Sequence, residues 1–483
     1  MKRRIVKVIT VILALTCAFT CFTGCKKTTD SGVSKYTITA EVDPASMTVK
    51  ASMTVNFINR TPVALDEVKF HLYPAAYRDG AQFTPVTSAG QDAAYPGGVS
   101  YGGITIDGVT GGEYGIDGSD DDILSVKLPS SILPSERAVI TIEYTLKIPK
   151  MRHRLGYYDG TINLGNWYPV ECAYDCGWVE SPYYAYGDPF NLTVCDYDVS
   201  ITAPKGYVVA MSGKSDRKEN GDVATTHAKI NKARDFAAVL GQFDRVSRNV
   251  NGTEVTYYYL SDSDPEAHLN AACDSIAYFS EKFCKYPYSS YAVVQTPFNQ
   301  GGMEYSALVY ASDSANSNML TEIIIHETAH QWWYGLVGND QISHAWLDES
   351  LAEYSTTLFY KSHPDYGVSY DARIADAMGG FSLYCEIDKN ADTSMDRHLR
   401  DFKSETEYTY MTYVKGQLMY DSLSTVIGEK QLYAGLKRYA NKYAYSTATP
   451  DDLIACLEYS SKRELKSFMG GFLDGTAKLY SHS

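Results

Sequence analysis

The chain has 483 residues, 45% hydrophobic and 21% charged, with a formal charge of −15. That length is more than one ordinary domain needs and implies two or three. The acidic balance excludes a nucleic-acid binder and predicts repulsion from anionic lipid head groups everywhere except at a covalent anchor. Forty-one tyrosines are the compositional oddity; they fit β-structure and half-apolar, wet surfaces and assign no function.

Met1-Lys-Arg-Arg4 followed by the apolar run Ile5 to Phe22 has the charge-then-hydrophobic order of a secretory signal. Thr16, Cys17, Thr20 and Thr23 make the run too weak to read as a membrane span. Phe22-Thr-Gly-Cys25 resembles a bacterial lipobox, with Phe22 where leucine is usual. The expectation is a signal peptide over 1–24, lipidation at Cys25 and a flexible polar tether over 25–34. The protein would then be extracytoplasmic and attached to the cell membrane, with simple secretion as the alternative. Residues 1–24 carry Lys2, Arg3, Arg4 and Lys7 and no acid, so their removal takes the charge from −15 to −19. Seven cysteines follow Cys25, an odd number without the spacing of a disulfide framework. Cys172 and Cys176 are spaced for a local disulfide or a metal pair, but free, partly buried thiols are the simpler reading.

From Tyr36 the sequence alternates apolar and polar residues, with Asp43-Pro44 as a break before Met47 to Phe57: strand, turn, strand. Further strands are predicted at 68–73, 123–128, 139–148, 195–203 and 207–211, and Thr253 to Leu260 reads as a closing one. A Gly/Asp-rich loop is expected from Gly90 to Asp122. Residues 35–248 are thus read as an all-β N-terminal domain, a sandwich or saddle. The pattern changes near Asn249. Pro265 to Phe283 has helical spacing, a short strand follows at 291–295, and helices recur at 413–426, 430–443 and 450–457. Thr449-Pro450 supplies a helix start, with Thr as N-cap and Pro at the first position. Residues 249–483 are read as a catalytic α+β domain, so the fold class is multidomain α+β.

Within that domain, Thr321 to Tyr334 is apolar at Ile323, Ile324, Ile325, Ala329 and Trp333, predicting a buried helix that stops at Gly335. It contains His326-Glu-Thr-Ala-His330. Histidines four apart share a helical face, so both imidazoles can reach one ion, and zinc is the usual guest of H-E-x-x-H. Glu327 is placed to take a proton from a metal-bound water rather than to ligate. The competing reading is two packed histidines on a core helix, and a third ligand decides between them. Eighteen residues separate His330 from Glu349, a gap that suits a loop and an antiparallel second helix. Glu353, one turn further, is either a hydrogen-bond acceptor for a ligand histidine or a surface glutamate. His344 reads as a loop histidine, and Asp348 and Ser350 as helix-start residues. Gly301-Gly-Met-Glu304 and Tyr413-Val-Lys-Gly416 are weak signals taken singly.

Together these pieces resemble the gluzincin zinc aminopeptidases, the family of aminopeptidase N and the leukotriene-forming epoxide hydrolase. The resemblance rests on Gly301-Gly-Met-Glu304, His326 to His330, Glu349 and Tyr413-Val-Lys-Gly416 in that order. It extends to Trp167-Tyr-Pro169, Gln331-Trp332 with Gly338-Asn339, Ala448-Thr-Pro-Asp451 and Gly475-Thr476. It implies a thermolysin-like catalytic domain and one Zn²⁺ per chain, held by His326, His330 and Glu349. Glu327 would be the general base and Tyr413 the hydrogen-bond donor to the oxyanion. Glu304 would anchor the substrate's free α-ammonium, with Gly301, Gly302 and Met303 lining the peptide. Three departures carry expectations of their own. Tyr305 replaces the family's asparagine and is expected to reshape the first pocket. No counterpart of the large C-terminal helical domain is found, so a more open site is expected. The β-domain residue that completes the amine pocket is not identifiable, with Asn163, Asn166 and Glu171 as candidates. The expected partners are peptides with a free N-terminus and, through Cys25, the membrane. A zinc endopeptidase and a non-catalytic peptide-binding surface lipoprotein are the alternatives.

Overall fold

The computed structural model describes residues 32–479; the signal segment, Cys25 and most of the tether fall outside the described residues. The alternating pattern that begins at Tyr36 becomes the centre of a seven-stranded sheet. Its order is Lys214–Asn220, Val223–Ala233, Cys195–Pro204, Ser34–Asp43, Thr48–Ile58, Arg137–Lys147 and Gly103–Thr110. Ser34–Asp43 runs parallel to Cys195–Pro204 and the other neighbours pair antiparallel. One face is buried and the other is not, as strict alternation along Ser34–Asp43 dictates. Its inward residues, among them Ile38, Met53, Ile142 and Val199, share one core with Val68, Phe70, Leu124 and Val126 of a four-stranded sheet. A third sheet of Leu155–Tyr158, Thr161–Leu164, Ala238–Gly241 and Val208–Met211 completes the β-domain.

The stretch from Gly90 to Asp122 is not the plain loop expected. It holds one helical turn, Gln91–Ala94, and the strands Gly103–Thr110 and Glu113–Asp117, which join two different sheets. These strands are short on apolar residues because they lie at sheet edges, so periodicity did not reveal them. Thr253–Tyr259 does not close the β-domain either. It pairs with Asp244–Val250 and Ser290–Thr296 in a five-stranded sheet of the second domain, completed by Leu308–Ser312 and, at the edge, Gly302–Met303. Asp244–Val250, which spans the expected boundary at 249, thus belongs to the same sheet as Thr253–Tyr259.

The remaining elements are mostly helices, and three of them begin at side-chain caps, of which the sequence analysis named Thr449 alone. Asp264 caps Pro265–Lys282, Asn316 caps Ser317–Ala329, and Thr449 forms a reciprocal capping box with Asp452 on Pro450–Ser461. The helix Tyr370–Ile387 was not anticipated; its buried face consists of little more than Ala377 and Phe381. Among the described residues no helix is long and apolar enough to cross a membrane. All seven described cysteines are free thiols, Cys172 and Cys176 included. Many tyrosines are fully buried rather than surface-lying: Tyr36 stacks on Tyr197 with ring centroids 5.2 Å apart, and its hydroxyl oxygen accepts from the Glu171 N–H at 2.9 Å.

His71, at the end of Leu65–His71, is buried and stacked on Tyr73 at 4.9 Å. Burial lowers its pKa from 6.5 to about 4, against the pull of a hydrogen bond to the Val179 backbone. Below 6.5 the unfolded chain binds a proton that the folded one refuses, so stability is lost as pH falls from 6.5 toward 4. Between pH 7 and 4 the stability difference between wild type and His71→Phe should shift in favour of the variant by about 3 kcal/mol. Denaturant melts of both proteins across that range check it; parallel pH profiles would contradict it.

Candidate active site

The metal-type cluster is built by two helices and the turn between them. Ser317–Ala329 carries His326 in its last turn and hands the chain to His330 just beyond its end. The predicted stop at Gly335 comes earlier because the backbone opens after Ala329 into wide turns, with Gly335, Leu336 and Val337 N–H groups donating five residues back. Tyr334 takes φ 145° there, an unfavourable value for a residue with a side chain, and the buried Arg234 holds its carbonyl. Trp346–Ser362 then brings Glu349 and Glu353 back across the first helix.

His326 Nε2 and His330 Nε2 lie 3.1 Å apart, and Glu349 Oε2 is 3.4 Å from the first and 3.2 Å from the second. Donors about 2.05 Å from a tetrahedral ion are about 3.3 Å from each other, so this triangle has the edge lengths of a zinc site. Each ring is fixed from behind. His330 Nδ1 meets the Trp333 carbonyl at 2.9 Å, and His326 Nδ1 meets Glu353 Oε2 at 3.3 Å. Both tautomers are thereby set with Nε2 facing the cluster. Glu353 is held in turn by Arg373 at 2.5 Å, from the unanticipated helix, and is not a surface glutamate.

The cluster lies at the bottom of a cleft of about 380 Å³ between the two domains. Glu327 lines it, buried, with Oε2 lacking any hydrogen-bond partner. Burial pushes its pKa up to about 7, against the pull of the two histidines. A Cβ on Gly302 would collide with the Glu327 carboxylate, which explains a glycine at that point of the edge strand. Tyr413 sits in a widened helical turn, Tyr410–Val414, and stacks on His326 with centroids 5.8 Å apart. Its neighbours hold it there: the buried Lys415 donates to the Phe472 and Thr393 carbonyls at 2.9 and 2.5 Å, and Gly416 packs against Ser350 too closely for any side chain.

Glu304 is 3% exposed and lines the same cleft. Burial, then the nearby Asp188, raises its pKa well above the usual carboxylate range. Asp188 comes from the β-domain, and Arg154 pairs with it while also donating to the Tyr183 hydroxyl at 3.2 Å. Asn163, Asn166 and Glu171 are elsewhere. Asn163 accepts from Thr296 at 2.6 Å, Asn166 from Tyr305 at 3.2 Å, and Glu171 from Thr193 at 2.6 Å. Tyr305 therefore points into the interface with the β-domain and not into the first pocket. Met303 also lies outside the cleft lining, its sulfur 3.1 Å from Arg154 Nε, whereas Gly301 and Gly302 line it. Asp348 stands in the first turn of Trp346–Ser362, as expected, and there it also accepts from Asn339 at 3.0 Å and from Gln341 at 2.7 Å. His344 is a loop residue bonded to Asp396 at 2.6 Å. Asp188, Arg154, Gln341 and Arg373 belong to no spacing pattern, so sequence reading had no means of selecting them.

The lining includes Asp188, Glu304, Glu327, Glu349 and Glu353, all buried or nearly so. Among the described residues that line the cleft, Arg154 is the one permanent cation, and it is already paired. Buried carboxylates in that number require positive charge from outside the chain. The donor set and its charge thus fit a divalent cation of the zinc type.

Residues 267–472 match the family model described as the peptidase family M1 domain. That match takes in the whole donor cluster, from His326 to Glu349, and Tyr413. The chain is 27% identical over 257 residues to aminopeptidase M1-A of rice, covering 48% of this chain and 28% of that protein. To aminopeptidase N of Streptomyces lividans it is 25% identical over 224 residues, covering 44% and 26%. The match thus spans little more than a quarter of the length of either relative. Over nearly the whole chain the fold is that of the M1 zinc metallopeptidase of Deinococcus radiodurans, with TM-score 0.65, 16% identity and coverage of 93% and 95%. A substituted form of that enzyme bound to a Tyr-Ser-Ala substrate superposes equally well, at TM-score 0.65.

Stripping the protein with a chelator should lower its melting temperature by several degrees, and Zn²⁺ should restore it. His330→Ala and Glu349→Ala should keep native circular dichroism yet lose the zinc response. An unchanged response in both variants would place the ion elsewhere.

Proposed function

We propose that the chain is a zinc aminopeptidase that releases N-terminal residues from peptides. The observation that carries this is the pairing of two carboxylates, Glu304 and Asp188, beside the three-donor cluster, in a pocket with room for a cation. A free α-ammonium is the group such a pocket recognises, and an internal peptide bond would leave Glu304 without a countercharge. The aminopeptidases among the relatives and the tripeptide bound by the Deinococcus enzyme support the same reading.

His326, His330 and Glu349 would hold one zinc ion. When bound, zinc supplies a Lewis acid that acidifies water and polarises the scissile carbonyl. Glu327, with one carboxylate oxygen free, takes the proton of the attacking water and delivers it to the departing amine. Tyr413, lying over His326, donates its hydroxyl to the oxygen that becomes negative in the tetrahedral intermediate. Glu304 and Asp188 hold the ammonium, which places the first peptide bond, and no later one, over the cluster. The edge strand Gly302–Met303 offers unpaired backbone groups to an extended substrate, and Gly301 and Gly302 let it approach.

A panel of aminoacyl-coumarins and their N-acetylated forms tests this. The zinc-loaded protein should cleave the free-amine series and leave the blocked series untouched. Glu304→Ala should lower kcat/KM for free amines by roughly 10²-fold or more, and Glu327→Gln should lower kcat by about 10³-fold while zinc stays bound. Equal cleavage of both series would instead indicate an endopeptidase, and cleavage of neither a peptide-binding protein.

We further propose that the mature chain begins at a lipidated Cys25 and works outside the cytoplasm, on the strength of Met1 to Cys25. Metabolic labelling with a radioactive fatty acid should mark the wild type and not Cys25→Ala; labelling of both would refute the anchor.

A further inference from the structure

The amine pocket has a support that neither the motifs nor the family relationship points to. Gln341 is 2% exposed and lies on the loop between the two metal-site helices. Its Nε2 donates to Glu304 Oε1 at 3.0 Å and to Asp348 Oδ2 at 2.7 Å. The other oxygen of Asp348 accepts from Asn339 Nδ2 at 3.0 Å. The Gln341 backbone N–H donates to the Phe190 carbonyl at 3.1 Å, two residues beyond Asp188. One residue thus ties together the strand end that carries Glu304, the β-domain segment that carries Asp188 and the helix start that precedes Glu349.

The amide is held in this orientation at a cost, because its Oε1 is buried without a hydrogen-bond partner. Turning the amide over would satisfy no carboxylate and would set three acceptors against one another. Its two N–H groups match two buried acids, and being neutral they leave the charge of those acids intact. A lysine or arginine here would fill the pocket's need for a cation and remove its attraction for an amine.

We propose that Gln341 is a positioning residue for amine recognition: it holds the Glu304 carboxylate at the place where the substrate's terminal ammonium must sit. This rests on the aminopeptidase reading above. Because Glu304 grips the ammonium in the ground state and in the transition state alike, its misplacement should appear chiefly in binding.

The test uses zinc-loaded full chain, Gln341→Met, which keeps the volume and removes the donor, and Gln341→Glu, which keeps the shape and reverses the polarity. KM for a free-amine peptide should rise 10- to 100-fold in both, with kcat within about threefold and zinc content unchanged. Calorimetric titration with leucine amide, made in the zinc-loaded Glu327→Gln background so that the amide is not cleaved, should weaken by the same factor. Unchanged KM and unchanged leucine amide affinity would overturn the assignment, as would a fall in kcat with loss of zinc at constant KM. If one variant fails to fold, the other is read in the same way. Wild-type protein that cleaves no free-amine peptide, with no leucine amide binding by its Glu327→Gln form, would sink the aminopeptidase reading itself; binding by that form with unaltered variants would sink the role of Gln341 alone.

Discussion

The structure depends on the convergence of two imidazole nitrogens and one carboxylate oxygen within 3.1 to 3.4 Å of each other. Three lone-pair donors do not gather in a buried place without a cation to attract them, and much of the second domain serves to hold them there. Glu353 and the Trp333 carbonyl turn the rings, and Arg373 steadies Glu353. Arg234, reaching from the β-domain, grips the strained turn at Tyr334 that follows the second histidine. Lys415 and Gly416 seat the widened turn that carries Tyr413. The Tyr-Val-Lys-Gly segment is therefore one hydroxyl with two residues that fix its position.

The two domains divide the work by charge as much as by shape. The catalytic domain contributes the donor cluster and Glu304, and the β-domain contributes Asp188 and its partner Arg154. Burial raises the cost of each ionised acid, and neighbouring acids raise it further. Under the proposed function two cations would relieve that cost, one at the donor cluster and a substrate ammonium beside Glu304. The same electrostatic strain would favour an ion and an ammonium group over neutral ligands. Arg154 limits that strain without reaching the pocket's centre, since it is occupied by Asp188 and Tyr183.

The catalytic sheet sets the direction of the site. Its edge strand Gly302–Met303 ends at Glu304, close to His330, while Gly301 lies against Ile323 further back along the helix. Under the proposed function, an extended peptide laid along that edge would have its amino end at Glu304 and run toward the N-terminal half of the helix. Tyr305 turns out of this path into the domain interface, so a substitution that reads as a change of pocket is a change of packing.

The sequence by itself determined what repeats or keeps a fixed spacing. Alternation along Ser34–Asp43 and Thr48–Ile58 gave the central strands, because one face of a sheet must be buried. Thr449-Pro450 gave a helix start, since capping is a local matter of a few atoms. His326, His330 and Glu349 were legible because a helix turn and a helical hairpin fix their separation along the chain. Edge strands between Gly90 and Asp122 were not, as they bury too little to be patterned. Only the tertiary structure decided that Asp188 rather than Asn163, Asn166 or Glu171 faces Glu304, that Asp348 and Gln341 stand behind it, and that Arg373 backs Glu353. These residues come from loops and separate elements whose relative placement is set by how two domains pack, and no local period encodes a contact made across that distance.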